Sequence, residues 1–303
     1  MKIKKALITC AGFGTRFLPI TKTIQKEMLP ILNRPLIDYV VEDCIKAGIE
    51  DIIFVVGEHN YQVMHYYREN QRLYEYLKKF NKIQLYEQIA HLHTQANFHF
   101  VKQKDSDPYG TATPVILAKE HLVNEEAFLV LMGDDFVYQG KAEQQAGVKQ
   151  ASEQSMVAKM IQDYVQSGAK ALLTCVEKPQ EILHKYGVIK GYRDGNFNFL
   201  AEIVEKPAPG QAPSNLVNIS KYILSQEIWP ILAQQKINPQ SGELFITDSL
   251  QILSQKHKVV VHQPQGTYLD GGYVLGWLLA NLTLAKDDPE IYPVIKDFVK
   301  RNY

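Results

Sequence analysis

The chain has 303 residues, 46% of them hydrophobic and 22% charged; that is enough for one large α/β domain or two smaller ones, with a core that needs neither disulfides nor metals. Its 33 Lys plus Arg balance 33 Asp plus Glu, which argues against a nucleic-acid or membrane-surface protein but leaves room for a local patch that takes a small anion. The three cysteines, Cys10, Cys44 and Cys175, form neither a disulfide framework nor a zinc pattern and fit small core residues in a reducing, cytoplasmic compartment. Lys2, Lys4 and Lys5 precede a short apolar run without a small-residue cleavage site, so no signal peptide is expected. No stretch approaches the length of a membrane span.

Residues 6–10 read as a buried strand, followed at once by Ala11-Gly12-Phe13-Gly14-Thr15-Arg16, with Lys22 and Lys26 in the same segment. Glycines behind a strand let backbone N–H groups approach a ligand, and cations beside such a nest suit a polyphosphate. Two familiar nucleotide loops are excluded. Phe17 stands where a dinucleotide fingerprint needs its third glycine, and no Gly-Lys-Ser/Thr tripeptide occurs.

A helix follows from residue 33, with Leu36, Ile37, Val40, Val41, Cys44 and Ile45 at helical spacing and Ala47-Gly48 closing it. Residues 51–57 form an apolar strand, completing a βαβ unit and implying a parallel sheet. Residues 60–97 read as one or two helices, 97–103 as a strand, 107–112 as a turn opening a helix to 120, and 127–135 as a strand ending in Asp134 and Asp135. Loops 12–16, 103–110 and 133–135 then converge on one sheet edge, where open α/β sheets bind ligands.

Residues 141–168 read as a helix and 169–176 as a strand. Short strands follow: 187–189, a hairpin turn at Asp194-Gly195-Asn196, 203–207, a loop with Pro207, Pro209 and Pro213, and a return strand 215–224. A short helix spans 225–235. Another begins within 243–248, with Thr247 or Asp248 as N-cap. A strand at 258–262, a turn at 268–272 into a helix 273–285, and an amphipathic tail helix from Pro289 complete the chain.

Asp134, at a strand end, is placed to hold Mg²⁺ over a polyphosphate, with Asp135 pointing elsewhere and Asp270 as second carboxylate. Glu205 can accept sugar hydroxyls and Lys206 can hold a phosphate. Gln103 can both donate to and accept from a nucleobase edge. Each has a plainer reading: a glycine turn with solvated charges, acids capping a helix, an exposed Glu205–Lys206 pair. No nucleophile elbow, HExxH or EF-hand loop occurs, so nothing demands a covalent intermediate. The set matches positioning plus electrostatic stabilisation of phosphoryl or nucleotidyl transfer.

Together, residues 11–43 (AGFGTRFLPITKTIQKEMLPILNRPLIDYVVED), VKQ at 101–103, YGTA at 109–112, MGDD at 132–135, KYGVI at 185–189, VEKPAPGQAPSNL at 204–216, GELFITDSL at 242–250 and YLDGG at 268–272 resemble bacterial UTP–glucose-1-phosphate uridylyltransferases (UDP-glucose pyrophosphorylases) in order and spacing. The resemblance implies an α/β fold of nucleotide-diphospho-sugar transferase type: a mostly parallel mixed central sheet flanked by helices, Rossmann-like, with a small β-rich sugar-binding insertion. It implies a single domain over 1–288, with a nucleotide half (about 1–140), a sugar-phosphate half (about 169–288) and a tail helix at 289–303.

It further implies conversion of UTP and α-D-glucose 1-phosphate into UDP-glucose and pyrophosphate with Mg²⁺, by in-line attack on the α-phosphorus. Ala11 and Gly12 would contact the nucleotide, Gly14, Thr15 and Arg16 the leaving pyrophosphate, and Lys26 the α-phosphate region. Gln103 and Gly110 would read uracil. Asp134 and Asp270 would bind Mg²⁺. Gly187, Glu205 and Lys206 would bind glucose 1-phosphate. A homodimer or homotetramer is implied, with neither nucleic acid nor membrane as partner.

The chain departs from the usual pattern at several positions. Gln25 replaces a proline and would loosen the segment carrying Lys26. Thr111 replaces a histidine and Phe245 a glutamine, and residues 217–221 replace a more apolar run ending Gly-Arg; these changes bear on base and sugar choice. Two alternatives stand beside the main reading: a nucleotidyltransferase preferring dTTP or another hexose 1-phosphate, and a catalytically silent regulatory paralogue.

Overall fold

The computed structural model describes residues 2–140 and 155–302. In chain order the first half contains β1 (Lys5–Cys10), β2 (Pro30–Ile31), β3 (Arg34–Pro35), α1 (Leu36–Lys46), β4 (Asp51–Gly57), α2 (Gln62–Tyr66), α3 (Gln71–Lys79), α4 (Gln84–Glu87), β5 (Asn97–Gln103), α5 (Thr113–Leu117), α6 (Lys119–Leu122), β6 (Ala127–Met132) and β7 (Asp135–Tyr138). The second half contains α7 (Met156–Ser167), β8 (Ala171–Glu177), β9 (Gly187–Asp194), β10 (Phe197–Glu205), β11 (Leu216–Ser225), α8 (Ile228–Leu232), α9 (Ile246–Ser254), β12 (Val259–His262), β13 (Thr267–Asp270), α10 (Val274–Lys286) and α11 (Ile291–Asn302).

Nine strands form one mixed sheet in the order β5-β4-β1-β6-β11-β8-β12-β10-β9. The N-terminal strands, β5-β4-β1-β6, are parallel throughout. Beyond them β11 runs antiparallel to both β6 and β8. The expected β-rich stretch is the β9–β10 hairpin, which forms the far edge of this same sheet.

The near-continuous apolar runs of β1 and β4 follow from burial on both faces. Leu7, Ile53 and Val55 pack on one side with Val115, Leu122 and Leu250. Ala6, Ile8, Ile52 and Phe54 pack on the other with Val40 and Val41 of α1. Each of the Leu, Ile, Val and Phe side chains, fully buried, contributes about 1.5–3 kcal/mol.

Several expectations shift. The segment 60–97 holds three short helices, α2 to α4, and the helix expected to run to 120 breaks at Ala118. The strand expected over 127–135 ends at Met132, because the turn at Gly133-Asp134 redirects the chain into β7. Of the helix expected over 141–168, residues 156–167 are α7, capped by the Ser155 hydroxyl on the Ala158 N–H at 3.0 Å; residues 141–154 lie outside the described residues.

The β7–β13 ladder is antiparallel and pairs Asp135 with Asp270. That one register brings the YLDGG and MGDD segments together.

Candidate active site

The glycine loop follows β1. Gly14 is left-handed at φ 64°, and its carbonyl accepts from the Thr21 hydroxyl at 2.8 Å. A cavity of about 500 Å³ opens beside it, lined by Ala11, Phe13, Gly14, Thr15, Gln103 and Tyr109 among others. A second cavity of about 310 Å³ shares Ala11, Gln103 and Tyr109 and adds Gly12, Arg16, Lys26, Gly110, Asp134 and Lys206. The three strand-end loops and the Lys206 segment thus meet around one depression. Lys22, grouped with the loop cations by sequence, is exposed and lines neither cavity.

Lys26 is the electrostatic centre. Its ammonium donates to Asp134 Oδ2 and lies 3.8 Å from Glu27 Oε1. Burial opposes its charge, but Asp134 and Glu27 outweigh burial and raise its pKa well above the ordinary lysine range. Burial also opposes ionisation of Asp134, yet Lys26 pulls its carboxyl below the usual value. Glu27, 1% exposed, is pushed up to about 7 by burial against the pull of Lys26. At neutral pH the depression is therefore lined by a cation that stays charged and a carboxylate that stays ionised.

Asp270 reaches Asp134 across Gly272, whose N–H donates to Asp270 Oδ1 at 2.9 Å. A Cβ at Gly272 would lie 2.7 Å from Asp134 Oδ2 and 3.1 Å from Asp270 Oδ1. Only glycine leaves that gap between the two carboxylates open. Burial raises the Asp270 pKa, and the neighbouring Asp134 charge adds to the shift. Two hard oxygen donors facing one gap fit Mg²⁺, which takes one or two carboxylates together with substrate phosphates.

Asp135 points away, as the sequence suggested. It accepts from Tyr268 Oη at 2.7 Å and is ion-paired with Lys221, whose ammonium also donates to the Asp135 backbone carbonyl at 3.1 Å. Lys221 is 1% exposed. It reaches inward because β11 bulges between Asn218 and Tyr222, with Ser220 in the left-handed region at φ 53°. Burial nonetheless pushes Asp135 up to about 6, against Lys221. Sequence reasoning missed Lys221 because a bulge breaks the two-residue alternation by which strand faces are read.

At the far edge of the sheet, Gly187 and Glu205 are register partners of the β9–β10 hairpin. Neither lines the two cavities, and Asp270 does not either. Thr247 Oγ1 donates to Glu205 Oε2 at 3.5 Å. Lys206 is exposed, at φ 48°, with its ammonium 5.8 Å from the Phe245 ring centroid.

A family model described as "Nucleotidyl transferase" matches residues 5–286. The chain belongs to the nucleotidyl transferase family. It is 34% identical over 301 residues to the UTP–glucose-1-phosphate uridylyltransferase of Staphylococcus epidermidis, covering 99% of this chain and 98% of that one. A solved structure described as UTP-bound UGPase from Acinetobacter baumannii superimposes with a TM-score of 0.85 at 30% identity, covering 99% of this chain and 100% of that one. A UDP-glucose pyrophosphorylase complexed with UDP-glucose aligns with a TM-score of 0.78 at 30% identity, over 94% and 100% of the two chains.

Within this nucleotidyl transferase the departures acquire structural reasons. Thr111 lines the smaller cavity, and its hydroxyl accepts the Ile246 N–H at 3.0 Å, at the start of α9. That helix begins at Ile246 with Phe245 as N-cap and no side-chain cap of its own, so neither Thr247 nor Asp248 caps it. Gly110, at φ 130°, presses on the Leu244 backbone, where a Cβ would collide. Ala112 N–H donates to the Leu244 carbonyl at 2.9 Å and Leu244 N–H to the Tyr109 carbonyl at 2.8 Å. The segment after β5 is thereby stitched to the segment before α9. Gln25 does not loosen the Lys26 segment either; its partners are described below. Glu27, Tyr109, Phe13 and Glu243 border the cavities without having been singled out; a buried glutamate or an exposed tyrosine carries no sequence signal of its own.

Proposed function

We propose that this chain transfers the uridylyl group of UTP to α-D-glucose 1-phosphate, giving UDP-glucose and pyrophosphate. The observation that carries the reading is Gln103. It is 8% exposed, its Oε1 has no protein partner, and it lines both cavities beside Lys26 and Asp134. A buried amide oxygen left unpaired is costly, and the N3–H of uracil would satisfy it. The relatives named for UTP and UDP-glucose support the same choice.

The chemistry asks little of general acid–base groups. The second ionisation of a phosphate monoester lies near 6, so the sugar phosphate arrives as a nucleophile. Its oxygen forms a bond to the α-phosphorus as the bond to the β-phosphate bridging oxygen breaks. We assign Lys26 to the charge developing at the α-phosphate, and Arg16 with the backbone of Gly12, Gly14 and Thr15 to the departing pyrophosphate. We assign Lys206 to the attacking phosphate, Gly187 and Glu205 to the sugar, and Ala11 and Gly110 with Gln103 to the nucleoside. Asp134 and Asp270 are the residues that would hold Mg²⁺, which neutralises phosphate charge when bound.

We read residues 1–288 as one catalytic domain. The face formed by α10 and α11 exposes Leu275 (57%), Val294 (69%) and Phe298 (62%), which supports self-association as a homodimer or homotetramer; light scattering at micromolar concentration tests it. Three buried free cysteines support a cytoplasmic setting. No helix among the described residues is long and apolar enough to cross a membrane.

The deciding assay is pyrophosphate release with each of the four NTPs and dTTP, against glucose, galactose and N-acetylglucosamine 1-phosphates, with and without a chelator. UTP with glucose 1-phosphate is expected to be the best pair and to need the free divalent ion. No release with any pair overturns the reading, and dTTP far above UTP overturns the choice of base.

A further inference from the structure

Gln25 is 8% exposed and immediately precedes Lys26. Its backbone N–H donates to Gln62 Oε1 at 2.7 Å. In return its own Oε1 accepts from the N–H groups of Gln62 at 3.0 Å and Val63 at 3.3 Å. Gln62 Nε2 adds a bond to the Thr23 carbonyl at 3.2 Å. Two glutamines far apart in sequence thus bind each other through side chain and backbone in both directions.

Each end of this contact does structural work. Helix α2 has Tyr61 at its N-cap with no side-chain cap, so the Gln25 amide oxygen satisfies N–H groups its first turn cannot pair internally. On the other side, the Gln25 carbonyl accepts the Met28 N–H at 2.9 Å and closes the 3₁₀ turn that carries Lys26. A proline at 25 could supply neither the N–H nor the amide oxygen. The arrangement leaves Gln25 Nε2 buried without a protein partner, a cost the other bonds must offset. The loop leading into α2 also lines the larger cavity through Gly57, Glu58, His59 and Asn60. The contact therefore bridges the cavity wall beside Gln103, whose carbonyl accepts the Glu58 N–H at 2.9 Å, to the turn bearing Lys26.

We propose that Gln25 and Gln62 form a reciprocal amide clasp that positions Lys26, so that both are positioning residues for the transfer reaction; this rests on the function proposed above. The clasp restrains the turn by its backbone on one side while Asp134 holds the ammonium on the other. It does in this chain what a rigid proline does in the related pattern, by cross-linking and not by fixing φ.

The test is Gln62→Ala, with Gln62→Glu, Gln25→Pro and the double variant Gln25→Pro/Gln62→Ala beside it, each checked for parental circular dichroism. Gln62→Ala is expected to lower kcat about tenfold with KM for both substrates within about threefold, the size set by losing the two hydrogen bonds of its side chain. Gln62→Glu keeps an acceptor for the Gln25 N–H and is expected to stay within about threefold of the parent kcat. The double variant is expected to be no slower than the slower single variant, because both changes break the same contact. Amide exchange over residues 23–28 is expected to quicken in Gln62→Ala. A folded Gln62→Ala with kcat within about twofold of the parent, losses that multiply in the double variant, or unchanged exchange over 23–28 would each overturn the clasp. If the parent makes no product from UTP and glucose 1-phosphate, the proposed function falls and the exchange measurement alone decides the clasp.

Discussion

At the glycine-loop edge, Lys26 and Asp134 pair inside a wall of parallel strand ends, each held by buried neighbours. At the β9–β10 edge, Lys206 stands exposed just after antiparallel β10, in a left-handed backbone conformation that lysine rarely adopts. The first region is preorganised by packing and charge, so its groups point inward without substrate. The second holds its cation by a strained backbone and a contact with the Phe245 ring, an arrangement that costs of order 1–3 kcal/mol. The contrast suits the two tasks proposed for them: stabilising transition-state charge requires fixed dipoles and ions, whereas capturing an incoming phosphate requires a reachable cation.

The sharpest way to break this comparison is Lys26→Ala. Removing a preorganised charge from the reacting centre is expected to lower kcat about 10²–10³-fold in a chain that still folds, measured by steady-state pyrophosphate release. A rate near the parent's would remove Lys26 from the reaction. Next in size, Lys221→Ala strands the Asp135 carboxylate in the interior and is expected to cost about 3–5 kcal/mol in urea unfolding. A loss under about 1 kcal/mol would mean that this pair behaves like a surface ion pair despite its burial.

Lys206→Ala probes the other edge. Losing one charge-assisted hydrogen bond is expected to raise KM for the sugar phosphate roughly 10- to 100-fold, with KM for UTP and the melting temperature unchanged. An equal rise for both substrates would show that the two edges are not separate. Thr111→Val removes the remote partner of the α9 N-terminus and is expected to cost about 1 kcal/mol while leaving the UTP-to-dTTP preference alone; a changed base preference would place Thr111 at the base after all. Smallest is Ser220→Gly at the β11 bulge. It relieves about 1–2 kcal/mol of left-handed strain against about 0.4–1 kcal/mol of added chain entropy. A net gain of about 0.5–1 kcal/mol in the denaturation midpoint is expected, and a loss would deny the strain.

Much of the N-terminal half was legible because its signals are local. The apolar runs of β1, β4, β5 and β6, the glycine loop and the hydrophobic stripe of α1 are patterns of period and turn chemistry, and all became the elements they suggested. The Asp194-Gly195-Asn196 hairpin was read the same way, and β9 and β10 pair across it. The errors fell where one segment is completed by another. Thr111 was read only through its place after Gly110, but its hydroxyl also joins it to the start of α9. Gln25 was read as a weakness for want of proline, but its strength comes from Gln62. Lys22 was counted with Arg16 and Lys26 by proximity in sequence, but each of the three lies in its own 3₁₀ turn, and the turn of Lys22 leaves it outside both cavities.

By itself, then, the sequence determined the layered α/β plan, the edge at which the loops gather and the residue types offered there, because hydrophobic period and backbone chemistry act within a few residues. Only the tertiary structure decided which of those residues meet. Asp270 joins Asp134 through one β7–β13 register, and Lys221 lies beneath Asp135 through one bulge. Such pairings depend on the alignment of strands distant in the chain, where a shift of one residue would turn every side chain to the opposite face.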